Sequence, residues 1–144
     1  MEKILLPVDG SASCNKSLKK VNDFATWTEV EVTVITVIEE DPSLSGIESK
    51  SRVENTFVKK DKLKEQAMEI AIACSKTLED KVKILNKVVR IGNPATIICQ
   101  EASDGDYDMV VISDMGKNAV KKFFLGSTTE KVVRHCSITT VVVK

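Results

Sequence analysis

Residues 109–112, Met-Val-Val-Ile, form an apolar run with no polar interruption. A strand with one wet face alternates apolar and polar residues, so an unbroken run predicts a strand buried on both faces, inside a parallel sheet. Ile4-Leu5-Leu6 has the same character, and residues 30–38 are β-branched and mostly apolar. Between the runs lie segments of helical period. Cys14, Leu18, Val21 and Ala25 make one stripe, and Leu63, Ala67, Ile70, Ala71, Cys74 and Leu78 make another, within a helix predicted over 53–79. A strand over 82–90, where lysines alternate with Val82 and Ile84, reads as nearer a sheet edge. Gly92-Asn93-Pro94 then starts a helix, with Asn93 at the cap and Pro94 at its first position. A short helix over 128–135 and a last strand over 138–143 complete nine alternating elements. Such alternation requires right-handed crossovers, hence a doubly wound α/β fold: a mainly parallel five-stranded sheet with helices on both faces.

At 144 residues the chain is expected to form one domain, 1–144. Its 21 basic and 21 acidic side chains cancel, which gives no electrostatic basis for recruiting nucleic acid or an anionic membrane. No stretch has the length of a membrane span, and the N-terminus runs directly into a strand, so a cytoplasmic protein is expected. Four widely spaced cysteines and one histidine do not make a zinc site. Cys74 and Cys99, on apolar stripes, read as plain core thiols, and Cys14 lies near a helix start, where a thiol pKa can fall.

The central run opens into a loop punctuated by Gly116 and Gly126. Glycine permits positive φ and close approach of backbone amides to a ligand. Gly126 leads into Ser127-Thr128-Thr129-Glu130, a Ser-x-x-Glu pattern in which Ser127 is expected to cap the helix by accepting from Glu130 N–H. Amides and dipole at such a start favour an anion. Asp9 stands at the end of the first strand and suits a turn organised by its side chain, with Ser11 or Ser13 capping the next helix. Residues 39–50 have loop chemistry, and His135 near a helix end is placed to meet terminal carbonyls.

Gly116, nine intervening residues and Gly126-Ser127 resemble the nucleotide-binding loop of the universal stress protein family, Gly-x2-Gly-x9-Gly-Ser/Thr, with Ser113 in place of the first glycine. The opening Ile-Leu-Leu-Pro-Val-Asp-Gly-Ser and the Gly-Asn-Pro turn are similar to the same family's. The resemblance implies strand order 3-2-1-4-5. It also implies Asp9 and Val37 at the nucleoside, and Ile112, Ser113, Gly116, Gly126, Ser127 and Thr128 around the rest of an ATP or AMP molecule, with Mg as a possible companion. A homodimer through strand 138–143 is implied too, and that strand carries no proline or interior charge to discourage edge pairing. In that order the chain reverses between the first and fourth strands, and ligands of open α/β sheets bind outside the carboxyl ends at such a switch point.

The chemistry available is restricted. A Walker-type loop needs Gly-Lys-Ser/Thr, and Gly126-Ser127-Thr128 lacks the lysine, for which Lys117, Lys121 and Lys122 are partial substitutes. No Ser/His/Asp set or general base stands out, so the expected function is a nucleotide-binding stress-response or regulatory module, with at most slow ATP hydrolysis. Ser113-Asp114 is expected to weaken ATP binding: a non-glycine held left-handed costs roughly 1–2 kcal/mol, and Asp114 would repel phosphate. The alternative is a dimeric structural or regulatory member of the same fold that binds no nucleotide.

Overall fold

The computed structural model of the chain describes residues 1–40, 50–78, 80–116 and 124–144. Lys117, Lys121 and Lys122, and most of the loop expected over 39–50, lie outside the described residues. The order is β1 (Glu2–Pro7), α1 (Cys14–Ala25), β2 (Val30–Ile38), α2 (Lys50–Ser75), β3 (Ile84–Ile91), α3 (Pro94–Asp104), β4 (Met109–Ser113), α4 (Ser127–His135) and β5 (Thr139–Val143). The five strands form one sheet in the order β3-β2-β1-β4-β5, and every neighbouring pair is parallel.

Burial on both faces explains the unbroken apolar runs. Ile4, Leu5 and Leu6 of β1 and Val110 and Val111 of β4 have no exposed surface. Alternation along each strand sorts them into two cores. Ile4, Leu6 and Val111 pack with Leu18 and Val21 of α1 and Ala71 of α2. Leu5, Val110 and Ile112 pack with Ala95, Ile98 and Ala102 of α3 and Val132 of α4. Thus α1 and α2 cover one face and α3 and α4 the other.

β3 begins at Ile84, two residues later than the pattern predicts, and runs to Ile91 along Glu31–Ile38 of β2. Its mixed burial is that of an edge, as the alternating lysines require. The opposite edge is β5, paired with β4 from Met109↔Thr139 to Ser113↔Val143. Asn93 caps α3 as expected, its Oδ1 accepting from Thr96 N at 3.1 Å. Among the described residues no helix is long and apolar enough to cross a membrane.

The cysteines correct the sequence reading. Cys99 of α3 and Cys136, directly after α4, form a disulfide, their Cα atoms 4.8 Å apart. Helical periodicity placed Cys99 facing inward but carried no information about a partner 37 residues away. Cys14 and Cys74 are free thiols.

Candidate ligand crevice at the switch point

Because β1 lies between β2 and β4, the chain leaves β1 toward one face and β4 toward the other, and a crevice of about 410 Å³ opens outside the strands' carboxyl ends. All eight residues singled out from the sequence line it: Asp9, Val37, Ile112, Ser113, Gly116, Gly126, Ser127 and Thr128. They come from four separate segments, and the parallel sheet brings them to one end.

Asp9 anchors the β1 side. Its Oδ1 accepts from Ser11 N at 2.9 Å across the turn at Gly10, whose φ is +77°. The Cys14 thiol donates to the same oxygen at 3.0 Å, and Asp9 N donates to the Cys14 sulfur at 3.3 Å. Burial holds the Cys14 thiol above its ordinary pKa of 9.0. Desolvation outweighs the lowering hydrogen bond from Asp9 N–H, so the thiol is not activated despite its place at the helix start. Ser13 is the N-cap of α1 but makes no side-chain cap bond. The chain instead enters α1 through backbone bonds, Cys14 N to Ser11 O at 3.2 Å and Lys16 N to Ser13 O at 3.0 Å.

On the β4 side Ser113 is the last strand residue, paired with Val143. Its backbone is not left-handed: among the described non-glycine residues only Asp106 has positive φ. The Ser113 hydroxyl turns back to donate to Met115 O at 3.0 Å. The backbone strain expected of a serine at this position is therefore absent. Asp114 Oδ1 stands 3.6 Å from Lys16 Nζ of α1, and its side chain is 16% exposed. The carboxylate faces a cation, and Asp114 is not part of the crevice wall.

Neither loop glycine uses positive φ; their lack of a side chain is what matters. A Cβ on Gly116 would come within 2.8 Å of Asp9 Oδ2. One on Gly126 would meet Asp114 O, Gly116 N and Met115 Cα, each at 3.4 Å. Gly126 N donates to Asp114 O at 2.7 Å, which closes the loop at its base. Gly126 is also the N-cap of α4, so Ser127 is the first helical residue rather than the cap. Glu130 N donates to Gly126 O at 2.9 Å, an ordinary helical bond in place of the expected bond to the Ser127 hydroxyl. The amides of Ser127, Thr128 and Thr129 accordingly have no acceptor within the helix. Thr129 Oγ1 donates to Ser113 O at 2.8 Å and ties the first turn of α4 to the end of β4.

Sequence reasoning missed part of the wall. Leu63, Gln66, Ala67 and Ile70 of α2 border the crevice, as do Met115 and Thr36. The α2 stripe was visible, but periodicity does not tell which of its turns overhangs the sheet's end. His135 lies in the last turn of α4, away from the crevice lining. The crevice thus combines apolar side chains of β2, α2, α3 and β4 with the helix start of α4, whose amides favour an anion.

The family profile of the universal stress proteins matches residues 1–144. The universal stress protein MJ0577 of Methanocaldococcus jannaschii is 30% identical in sequence, over 99% of this chain and 94% of that protein. Its solved structure superposes with a TM-score of 0.87 at 32% identity, covering 99% of this chain and 95% of that one. At 15% identity a universal stress protein in complex with cAMP shares the fold, with a TM-score of 0.71 and coverage of 99% and 97% of the two chains. At 14% identity so does one from Archaeoglobus fulgidus in complex with dAMP, with a TM-score of 0.66 and coverage of 100% and 98%. The match of sequence and fold over the full length, together with the crevice built from both family segments, establishes that this chain belongs to the universal stress protein family.

Proposed function

We propose that the crevice binds an adenine nucleotide, ATP or AMP, and that the chain acts as a nucleotide-responsive regulatory module in stress response. One observation carries this reading: Asp9 and the Gly126–Thr128 helix start, more than a hundred residues apart in sequence, line a single crevice that pairs apolar walls with helix-start amides. The base lies against Val37 and Ile112, the Asp9 carboxylate meets the ribose hydroxyls, and the phosphates sit on the amides of Ser127 and Thr128. The structures of two relatives, in complex with cAMP and dAMP, support the same ligand class. Mg would accompany the phosphates of ATP and is not needed for AMP. On this reading the chain binds nucleotide and hydrolyses ATP at most slowly.

Two of the grounds for expecting weak binding, the backbone at 113 and the charge of Asp114, look different in the folded chain. Position 113 is not left-handed and Lys16 stands 3.6 Å from Asp114, so the backbone cost falls away and the repulsion is partly screened. The test is calorimetric titration of ATP and AMP, with and without Mg. Saturable binding with a Kd below about 100 μM supports the proposal, and a Kd above about 1 mM for both nucleotides overturns it in favour of a ligand-free regulatory member of the fold. The same reading includes a homodimer formed by antiparallel pairing of β5 about a twofold axis, because Val141, Val142 and Val143 are only partly covered at the sheet edge. A light-scattering mass of one chain at micromolar concentration would remove the dimer from it.

A further inference from the structure

The disulfide closes a loop of special content. Between Cys99 and Cys136 lie β4, the loop that follows it and the whole of α4, which together supply Ile112, Ser113, Gly116, Gly126, Ser127 and Thr128 to the crevice. Ile98, the neighbour of Cys99, lines the crevice too. α4 has nine residues, of which Thr129 and Val132 are buried. A helix this short has little stability of its own and depends on its attachments. Thr129 holds its first turn to β4. The disulfide holds its far end to α3.

We propose that Cys99 and Cys136 are a site of reversible oxidation by hydrogen peroxide, and that their bond fixes α4 and so organises the anion-binding end of the crevice. A thiolate of the pair attacks peroxide; an S–O bond forms, the O–O bond breaks, and water leaves after protonation. The second thiol attacks that sulfur; the S–S bond forms, the S–O bond breaks, and a second water leaves. Two electrons pass from the two thiols to one peroxide, and a dithiol reductant reverses the change. Both sulfurs belong to partly exposed residues, whereas Cys14 is 3% exposed and bonded to Asp9. What selects the pair is proximity, since only Cys99 and Cys136 among the described cysteines are joined, with Cα atoms 4.8 Å apart, while burial raises the thiol pKa of Cys14 and Cys74 and lowers their thiolate fraction. Where thiols are kept reduced, a disulfide of this kind is transient and redox-sensing rather than permanent.

The test compares the full chain after peroxide with the full chain after dithiothreitol. Maleimide labelling under denaturing conditions should modify four cysteines in the reduced protein and only Cys14 and Cys74 in the oxidised one. Amide hydrogen exchange without ligand should slow by at least about tenfold over residues 127–135 on oxidation. Cys99→Ser and Cys136→Ser should each abolish that difference while keeping the reduced protein's exchange pattern. The ligand part rests on the nucleotide reading: ATP should bind roughly fivefold tighter to the oxidised form. Labelling of all four cysteines after peroxide, crosslinking to Cys14 or Cys74 instead, or equal α4 exchange in both states overturns the proposal. If α4 exchange responds but neither form binds ATP, the nucleotide reading fails and the oxidation site stands. Equal ATP affinity in both forms removes its coupling to the crevice.

Discussion

Asp9 Oδ2 lies so close to the backbone of Gly116 that a Cβ at position 116 would stand 2.8 Å from it. The two sides of the crevice therefore meet at a carboxylate and a missing side chain. Asp9 cannot simply swing away, because Oδ1 is held by Ser11 N and by the Cys14 thiol.

Gly116→Ala is consequently expected to destabilise the fold by about 1 kcal/mol, the low end of overpacking costs, and to weaken ATP binding about tenfold by displacing Asp9. Urea unfolding and calorimetry check the two effects separately. Unchanged values in both would mean that the contact constrains nothing.

Ser127→Ala should leave stability within about 0.5 kcal/mol, because Gly126 is the cap and the serine hydroxyl makes no cap bond. Asn93→Ala, which removes the bond to Thr96 N, should cost about 1 kcal/mol by comparison. Thermal melts of the two variants side by side distinguish them, and a loss for Ser127→Ala equal to that for Asn93→Ala would restore the serine as a cap.

Ser113→Gly is expected to change ATP affinity by less than about twofold, since position 113 has strand geometry that any residue adopts. Removing Lys16 should matter more. In Lys16→Ala the Asp114 carboxylate loses its cation at 3.6 Å, and ATP should bind a few-fold more weakly, an effect that shrinks with added salt. Titrations at two salt concentrations provide the measurement.

The Cys14 thiol predicts a pH dependence. Its folded pKa is raised by burial, so the folded chain holds this proton more tightly than the unfolded one. Its contribution to stability is full below the unfolded value near 9.0 and is lost as pH rises through the folded value. Unfolding free energy should thus fall above pH 9 more steeply for the natural chain than for Cys14→Ala, and parallel curves would exclude the thiol as the cause.

The sequence alone determined the architecture. Runs such as Met109–Ile112 and stripes such as Cys14–Leu18–Val21 follow from strand and helix periods, which are local, and the alternation of elements then leaves few topologies. The strand order and the eight candidate site residues came instead from the resemblance of two motifs to the universal stress protein family, and the parallel sheet brings those residues to one crevice at the strands' carboxyl ends. What only the tertiary structure decided is where side chains point and what they meet. The turn of Asp114 toward Lys16, the pairing of Cys99 with Cys136, the placing of α2 over the crevice and the passing of the cap from Ser127 to Gly126 are of this kind. Three of the four are contacts between segments far apart in the chain, and the fourth depends on how the loop closes at Asp114. Periodicity records which face of an element is buried, and it does not record the distance or direction of a partner on another element.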